Sequence, residues 1–143
     1  MSLADDPDPL IRQLVLEEGF RLKPYTDTVG KLTIGVGRNL TDVGISELEA
    51  RAMLLNDIYK VREQLDIELP WWRGQSPVRQ MAMIDLCFNM GINALLGFHN
   101  GLSAWANANY AEAARSFRDS KWATQVQLSR VNRVTREIEM GVA

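Results

Sequence analysis

Two carboxylates and a hydroxyl, Glu18, Asp27 and Thr33, stand where they could serve one reaction. Breaking a glycosidic bond requires an acid that protonates the leaving oxygen. It also requires a second carboxylate that activates water or attacks the sugar. A chain with 18 acidic residues supplies such a pair easily, so the surroundings carry the argument. Glu18 falls on the last turn of a short helix, where the carbonyl dipoles place partial negative charge. Asp27 falls in a segment of hydroxyls and glycines that offers hydrogen bonds to a carboxylate. Unlike surroundings are what separate acid and base roles require.

The elements that must position these groups follow from local signals. Asp8-Pro9 is a capping acid with proline at the first helical position. Leu10, Ile11, Leu14 and Val15 supply the apolar stripe, and Gly19 marks a stop. From Pro24 to Gly37, strand-favouring Tyr25, Thr26, Thr28, Val29, Thr33, Ile34 and Val36 alternate with glycines, which predicts a small antiparallel hairpin turning near Val29-Gly30. Such a hairpin must pack on helices. Ser46-Glu47-Leu48-Glu49 is a capping box opening a long helix. Pro70-Trp71-Trp72-Arg73-Gly74 breaks the chain, and Ser76-Pro77 starts a helix to about Met90 that is apolar on most sides and reads as the central buried one. Further helices are predicted around Leu95–Ala106, Tyr110–Arg118 and Ser129–Glu139. The class is α+β and mainly helical. A single domain spans 1–143, with a small lobe of hairpin and linking helix over 10–60 and a helical lobe over 61–143 on which the first helix packs.

The run Glu18-Gly19-Phe20-Arg21-Leu22-Lys23-Pro24-Tyr25-Thr26-Asp27, then Gly30 and Thr33-Ile34-Gly35-Val36-Gly37, resembles the phage-type lysozymes of glycoside hydrolase family 24. The family pattern is Glu, eight residues, Asp, five residues, Thr, and both spacings are present. Phe88-Asn89-Met90-Gly91, Gly97-Phe98, Glu112-Ala113-Ala114, Trp122, Arg130 and Arg133 extend the likeness over about residues 10 to 141. The resemblance implies a lysozyme-like fold and hydrolysis of the β-1,4 bond between N-acetylmuramic acid and N-acetylglucosamine. It makes Glu18 the general acid, with Asp27 and Thr33 positioning the attacking water, and inversion as the outcome. Phe88 and Asn89 match a wall of the substrate cleft, and Tyr25 and Gly37 join them as candidate sugar contacts. Arg130 matches a basic residue that approaches the catalytic Glu, which predicts an Arg130–Glu18 ion pair with Arg133 as fallback. Where relatives carry histidine after the hairpin's Gly-x-Gly, this chain has Arg38. Asp57 stands at the family's partner position, so an Arg38–Asp57 bridge is expected. Gly101 replaces a small polar residue, removing one sugar contact.

Composition bounds the rest. One cysteine, Cys87, and one histidine, His99, leave no intramolecular disulfide and a poor ligand set for zinc, so neither metal nor cofactor is expected. Net charge is −2, and no nucleic-acid motif accompanies the basic residues. No run approaches the roughly 20 apolar residues of a membrane span. The start lacks the basic flank and apolar core of a secretory signal. A monomer is expected, made in the host cytoplasm and acting on peptidoglycan strands in the periplasm once a separate holin-type protein permeabilises the membrane. Trp71, Trp72 and Trp105 serve packing or stack on sugar. A lytic transglycosylase and a non-catalytic wall-binding virion module are the alternative functions, with Asp27 and Thr33 favouring the hydrolase.

Overall fold

The first helix, α1 (Pro9–Glu18), starts and stops on the predicted residues. Asp8 Oδ1 accepts from the Leu10 amide at 2.8 Å, Pro9 fills the first turn, and Gly19 ends the helix at φ +68° with its N–H on the Val15 carbonyl at 2.8 Å. The computed structural model describes residues 1–142. They form two compact units, Met1–Ala52 and Met53–Ala143.

The first unit carries α1 and a three-stranded antiparallel sheet in the order β1 (Arg21–Thr26), β2 (Leu32–Gly35) and β3 (Arg38–Asn39). Tyr25 lies opposite Thr33, and Thr33 opposite Asn39. An irregularity between Arg21 and Tyr25 breaks the register of β1. The hairpin turn occupies residues 27–31, with Gly30 at φ +84°, as the glycine predicted. The two-residue β3 is too short to announce itself by alternation. Helix α2 (Glu47–Glu68) opens on a complete capping box: Ser46 Oγ accepts from the Glu49 amide at 3.1 Å, and Glu49 Oε1 accepts from the Ser46 amide at 3.3 Å.

The second unit is helical, with α3 (Pro77–Met90), α4 (Ile92–Leu96), α5 (His99–Ala106), α6 (Tyr110–Arg118), α7 (Lys121–Gln125) and α8 (Leu128–Met140). The helix expected over 95–106 is split at Gly97-Phe98, and α7 was not foreseen. Helix α3 buries one face, Ala82, Met83, Leu86 and Cys87, rather than most sides. Met81 and Phe88, counted with its apolar surface, are exposed. An aromatic cluster fills the core. Phe117 stacks on Phe98 at 4.4 Å and meets Trp105 and Trp122 edge-on at 6.2 and 6.5 Å. Trp72 and Trp105 are almost fully buried, and Trp71 packs on Trp105, so the tryptophans serve packing. Their buried N–H groups are satisfied, Trp72 by Asp66 at 2.8 Å and Trp105 by Gln75 at 3.1 Å.

Two close contacts fix helix positions here. A Cβ on Gly101 of α5 would lie 2.5 Å from Ser116 Oγ of α6, so this glycine sets how near the helices approach. Its role is packing, a better account than a lost sugar contact. Arg79 of α3 donates to the Ile138 and Glu139 carbonyls at 2.8 and 3.0 Å, capping the end of α8. The same guanidinium lies 3.3 Å from the centre of the Tyr110 ring.

Candidate active site

Helix α1 ends on Glu18, whose side chain is exposed and folds over Gly37 in the turn between β2 and β3. A Cβ on Gly37 would sit 3.1 Å from Glu18 Oε2, and the residue has φ +65°. Both facts demand glycine: a side chain would strain the backbone and displace the carboxyl.

Asp27 is built into the hairpin turn. Its Oδ1 accepts from the amides of Val29 at 3.0 Å and Lys31 at 2.8 Å, and its own N–H donates to the Lys31 carbonyl at 2.9 Å. Thr33, only 4% exposed, donates its hydroxyl to that same carbonyl at 3.0 Å. One peptide residue, Lys31, thus ties Asp27 to Thr33. Asp27 Oδ2 has no hydrogen bond among the described residues, and the Thr33 oxygen keeps its lone pairs. Tyr25 lies opposite Thr33 in the sheet, half-buried, with the Arg21 guanidinium 4.4 Å from its ring centre.

The bridge expected from Arg38 is corrected. Arg38 is anchored by Glu49, not Asp57: its Nη1 lies 2.7 and 2.9 Å from the two carboxylate oxygens and 3.2 Å from the Gly44 carbonyl. Asp57 lies eight residues further along α2, roughly 12 Å at 1.5 Å per residue, and is exposed. The Arg38 hydrogen bond, then those from Ser46, hold the Glu49 carboxyl below its ordinary range. Sequence reasoning had assigned Glu49 wholly to the capping box, although a carboxylate has two oxygens to share.

Within the second unit Arg130 is held by Asp85, with Nε at 2.8 Å and Nη2 at 2.7 Å from one oxygen. The signal that sequence reasoning missed was Asp85 itself, the one acid on a helix that packs against α8. Nearby Glu137 is raised above its ordinary range by burial and by the Asp85 charge, which Arg133 partly offsets. Phe88 shares with Asp85 and Arg130 the wall of a groove of about 320 Å³ floored by Met81 and Ile84. Asn89 lines a different pocket, of about 500 Å³, with Met90, Phe98, Lys121 and Trp122. Its amide oxygen accepts from Trp122 Nε1 at 2.7 Å, which fixes the amide and leaves its NH₂ to donate outward. Burial raises the Cys87 thiol, so it stays protonated and unreactive. No group of three or more His, Cys, Asp or Glu side chains is arranged to hold a metal among the described residues, nor is any described helix long and apolar enough to cross a membrane.

The comparisons point one way. A family model described as phage lysozyme matches residues 16–137. Probable T4-type lysozyme 1 of Dictyostelium discoideum is 27% identical over 157 residues, covering 90% of this chain and 92% of that protein. Probable T4-type lysozyme 2 of the same organism is 27% identical over 158 residues, with the same coverage. The pre-baseplate central spike protein Gp5 of Enterobacteria phage T4 is 26% identical over 166 residues, covering 96% of this chain but 29% of that protein.

Proposed function

Because the chain belongs to the phage lysozyme family and is a muramidase-type enzyme, we propose that it hydrolyses the β-1,4 bond between N-acetylmuramic acid and N-acetylglucosamine, with Glu18 as the acid and Asp27 and Thr33 as the water-positioning pair. Glu18 gives its proton to the glycosidic oxygen as the C–O bond breaks. Water held by Asp27 Oδ2 and the Thr33 hydroxyl adds to the anomeric carbon, and its proton passes to Asp27. The observation that carries this reading is Lys31, whose N–H donates to Asp27 and whose carbonyl accepts from the Asp27 amide and the Thr33 hydroxyl, leaving Asp27 Oδ2 and the Thr33 lone pairs without a protein partner among the described residues.

Tyr25 and Gly37 are assigned to sugar contact beside Glu18. In the helical unit, the outward NH₂ of Asn89 suits an acetamido carbonyl, and exposed Phe88 offers an apolar sugar contact. The enzyme works on peptidoglycan strands as a monomer, made in the host cytoplasm and reaching the periplasm through a separate permeabilising protein. Inversion is the outcome assigned to it.

Purified peptidoglycan, digested and weighed by mass spectrometry, tests the chemistry. Hydrolysis adds a full water to each new reducing end, whereas a lytic transglycosylase leaves anhydro ends lighter by one water. Glu18→Gln is expected to lower the rate by about 10²-fold or more. A Glu18→Gln enzyme as active as wild type ends the assignment. A folded wild type that binds the wall without cutting it identifies a non-catalytic module.

A further inference from the structure

We infer that the Arg38–Glu49 pair is a positioning device for Glu18, holding the turn between β2 and β3 so that Gly37 stays beneath the Glu18 carboxyl. The inference rests on Glu18 being the acid.

The turn has little stiffness of its own. Gly35 and Gly37 both have positive φ, +67° and +65°, and glycine is the residue least restricted by its own sterics. Something must nevertheless set its height, because Glu18 Oε2 lies 3.1 Å from where a Gly37 Cβ would be. A shift of a few tenths of an ångström there moves the carboxyl or opens a gap under it.

Arg38 follows Gly37 directly, and a single nitrogen, Nη1, contacts the Gly44 carbonyl and both Glu49 oxygens, at 3.2, 2.9 and 2.7 Å. Glu49 in turn sits in the first turn of α2 and accepts from the Ser46 amide. The chain from 37 to 49 therefore closes on itself, with a helix N-terminus as its fixed end. Among the described residues neither Arg38 nor Glu49 has a hydrogen bond or ion pair to Glu18, so the pair acts through the backbone of Gly37. The pair is also partly exposed, with side chains 38% and 43% accessible. An exposed pair adds little to global stability, which separates positioning from mere support.

The test compares kcat and KM on soluble glycan fragments of peptidoglycan, at a temperature where circular dichroism shows each variant folded. Arg38→Met and Glu49→Gln are expected to lower kcat by about 10-fold, in keeping with the sensitivity of catalysis to sub-ångström misplacement, with KM within about twofold. Arg38→Lys is expected to recover most of the rate, because one nitrogen makes all the contacts. Wild-type kcat in folded Arg38→Met and Glu49→Gln overturns the proposal. Glu49→Asp keeps the charge but draws the anchor back by a methylene, so kcat should fall there too. Should the first two variants not fold, wild-type kcat in folded Glu49→Asp overturns the proposal. Glu18→Gln is measured alongside. Full activity in Glu18→Gln overturns the acid assignment itself, whereas an inactive Glu18→Gln beside a fully active Arg38→Met overturns the positioning device alone.

Discussion

Asp27 has an observed structural job and a proposed chemical one, and the two can be separated. Its Oδ1 stitches the hairpin turn through the Val29 and Lys31 amides, while Oδ2 is left for chemistry. An asparagine oxygen can accept the same two amide bonds, so Asp27→Asn is expected to keep the turn and the thermal midpoint. It removes the negative charge that accepts the water's proton, so the rate of peptidoglycan cleavage should fall by about 10²-fold. Asp27→Ala removes both roles and should lower the midpoint as well. Glu49 provides a pH test at the same scale. The Arg38 hydrogen bond holds its folded pKa below the ordinary value, so its contribution to stability is present above the ordinary carboxylate pKa. That contribution is lost as pH falls through the depressed folded value. Because the pair is exposed the loss is small, so acid titration of the thermal midpoint should separate wild type from Glu49→Gln only slightly, with wild type losing the more.

At the scale of elements, Gly101 and Ser116 make the sharpest prediction. Gly101→Ala would gain roughly 1 kcal/mol in helix propensity, but the new methyl overlaps Ser116, and overpacking costs about 1–3 kcal/mol. The expected outcome is net destabilisation by about 1 kcal/mol in chemical denaturation, reversed when Ser116→Gly is added. Element boundaries were most legible where backbone chemistry is local: the Asp8 cap, the Gly19 stop and the Ser46–Glu49 box stand where their residue types place them. β3 and α7 were illegible because two and five residues cannot display a period. The split at Gly97-Phe98 was hidden for a related reason, since apolar residues continue across it. Of the proposed site, Glu18, Asp27 and Thr33 were legible only as a spaced motif. The partner of Arg38 was not, because a partner's identity depends on tertiary packing: Arg38 found Glu49 at the start of α2 rather than Asp57, and the Arg130–Asp85 pair of the second unit joins two helices whose packing no spacing announces.

Across the whole molecule, charge is divided along the chain: residues 1–72 hold 8 Lys/Arg against 13 Asp/Glu, and residues 73–143 hold 8 against 5. The basic second half suits an anionic wall polymer, yet Glu137 stands within it under strain from burial and from Asp85. Its folded pKa is raised, so the protein gains stability as pH falls through that value towards the unfolded one. Above it the charged form is a standing penalty, reduced by solvent because Glu137 is only partly buried. Glu137→Gln should therefore raise stability near neutral pH by a few tenths of a kcal/mol, read as a higher urea midpoint, with the gain vanishing in acid. A midpoint unchanged or lower at neutral pH would count against the electrostatic account.

The backbone of Lys31 has a consequence of another kind. Its amide proton is held by Asp27 and its carbonyl serves both Asp27 and Thr33, so this single proton should exchange with deuterated solvent only when the turn opens. Lys31 thereby becomes a one-atom gauge of the hairpin, readable by nuclear magnetic resonance without substrate: slow exchange where the turn holds the Asp27 carboxylate, fast exchange where it has let go.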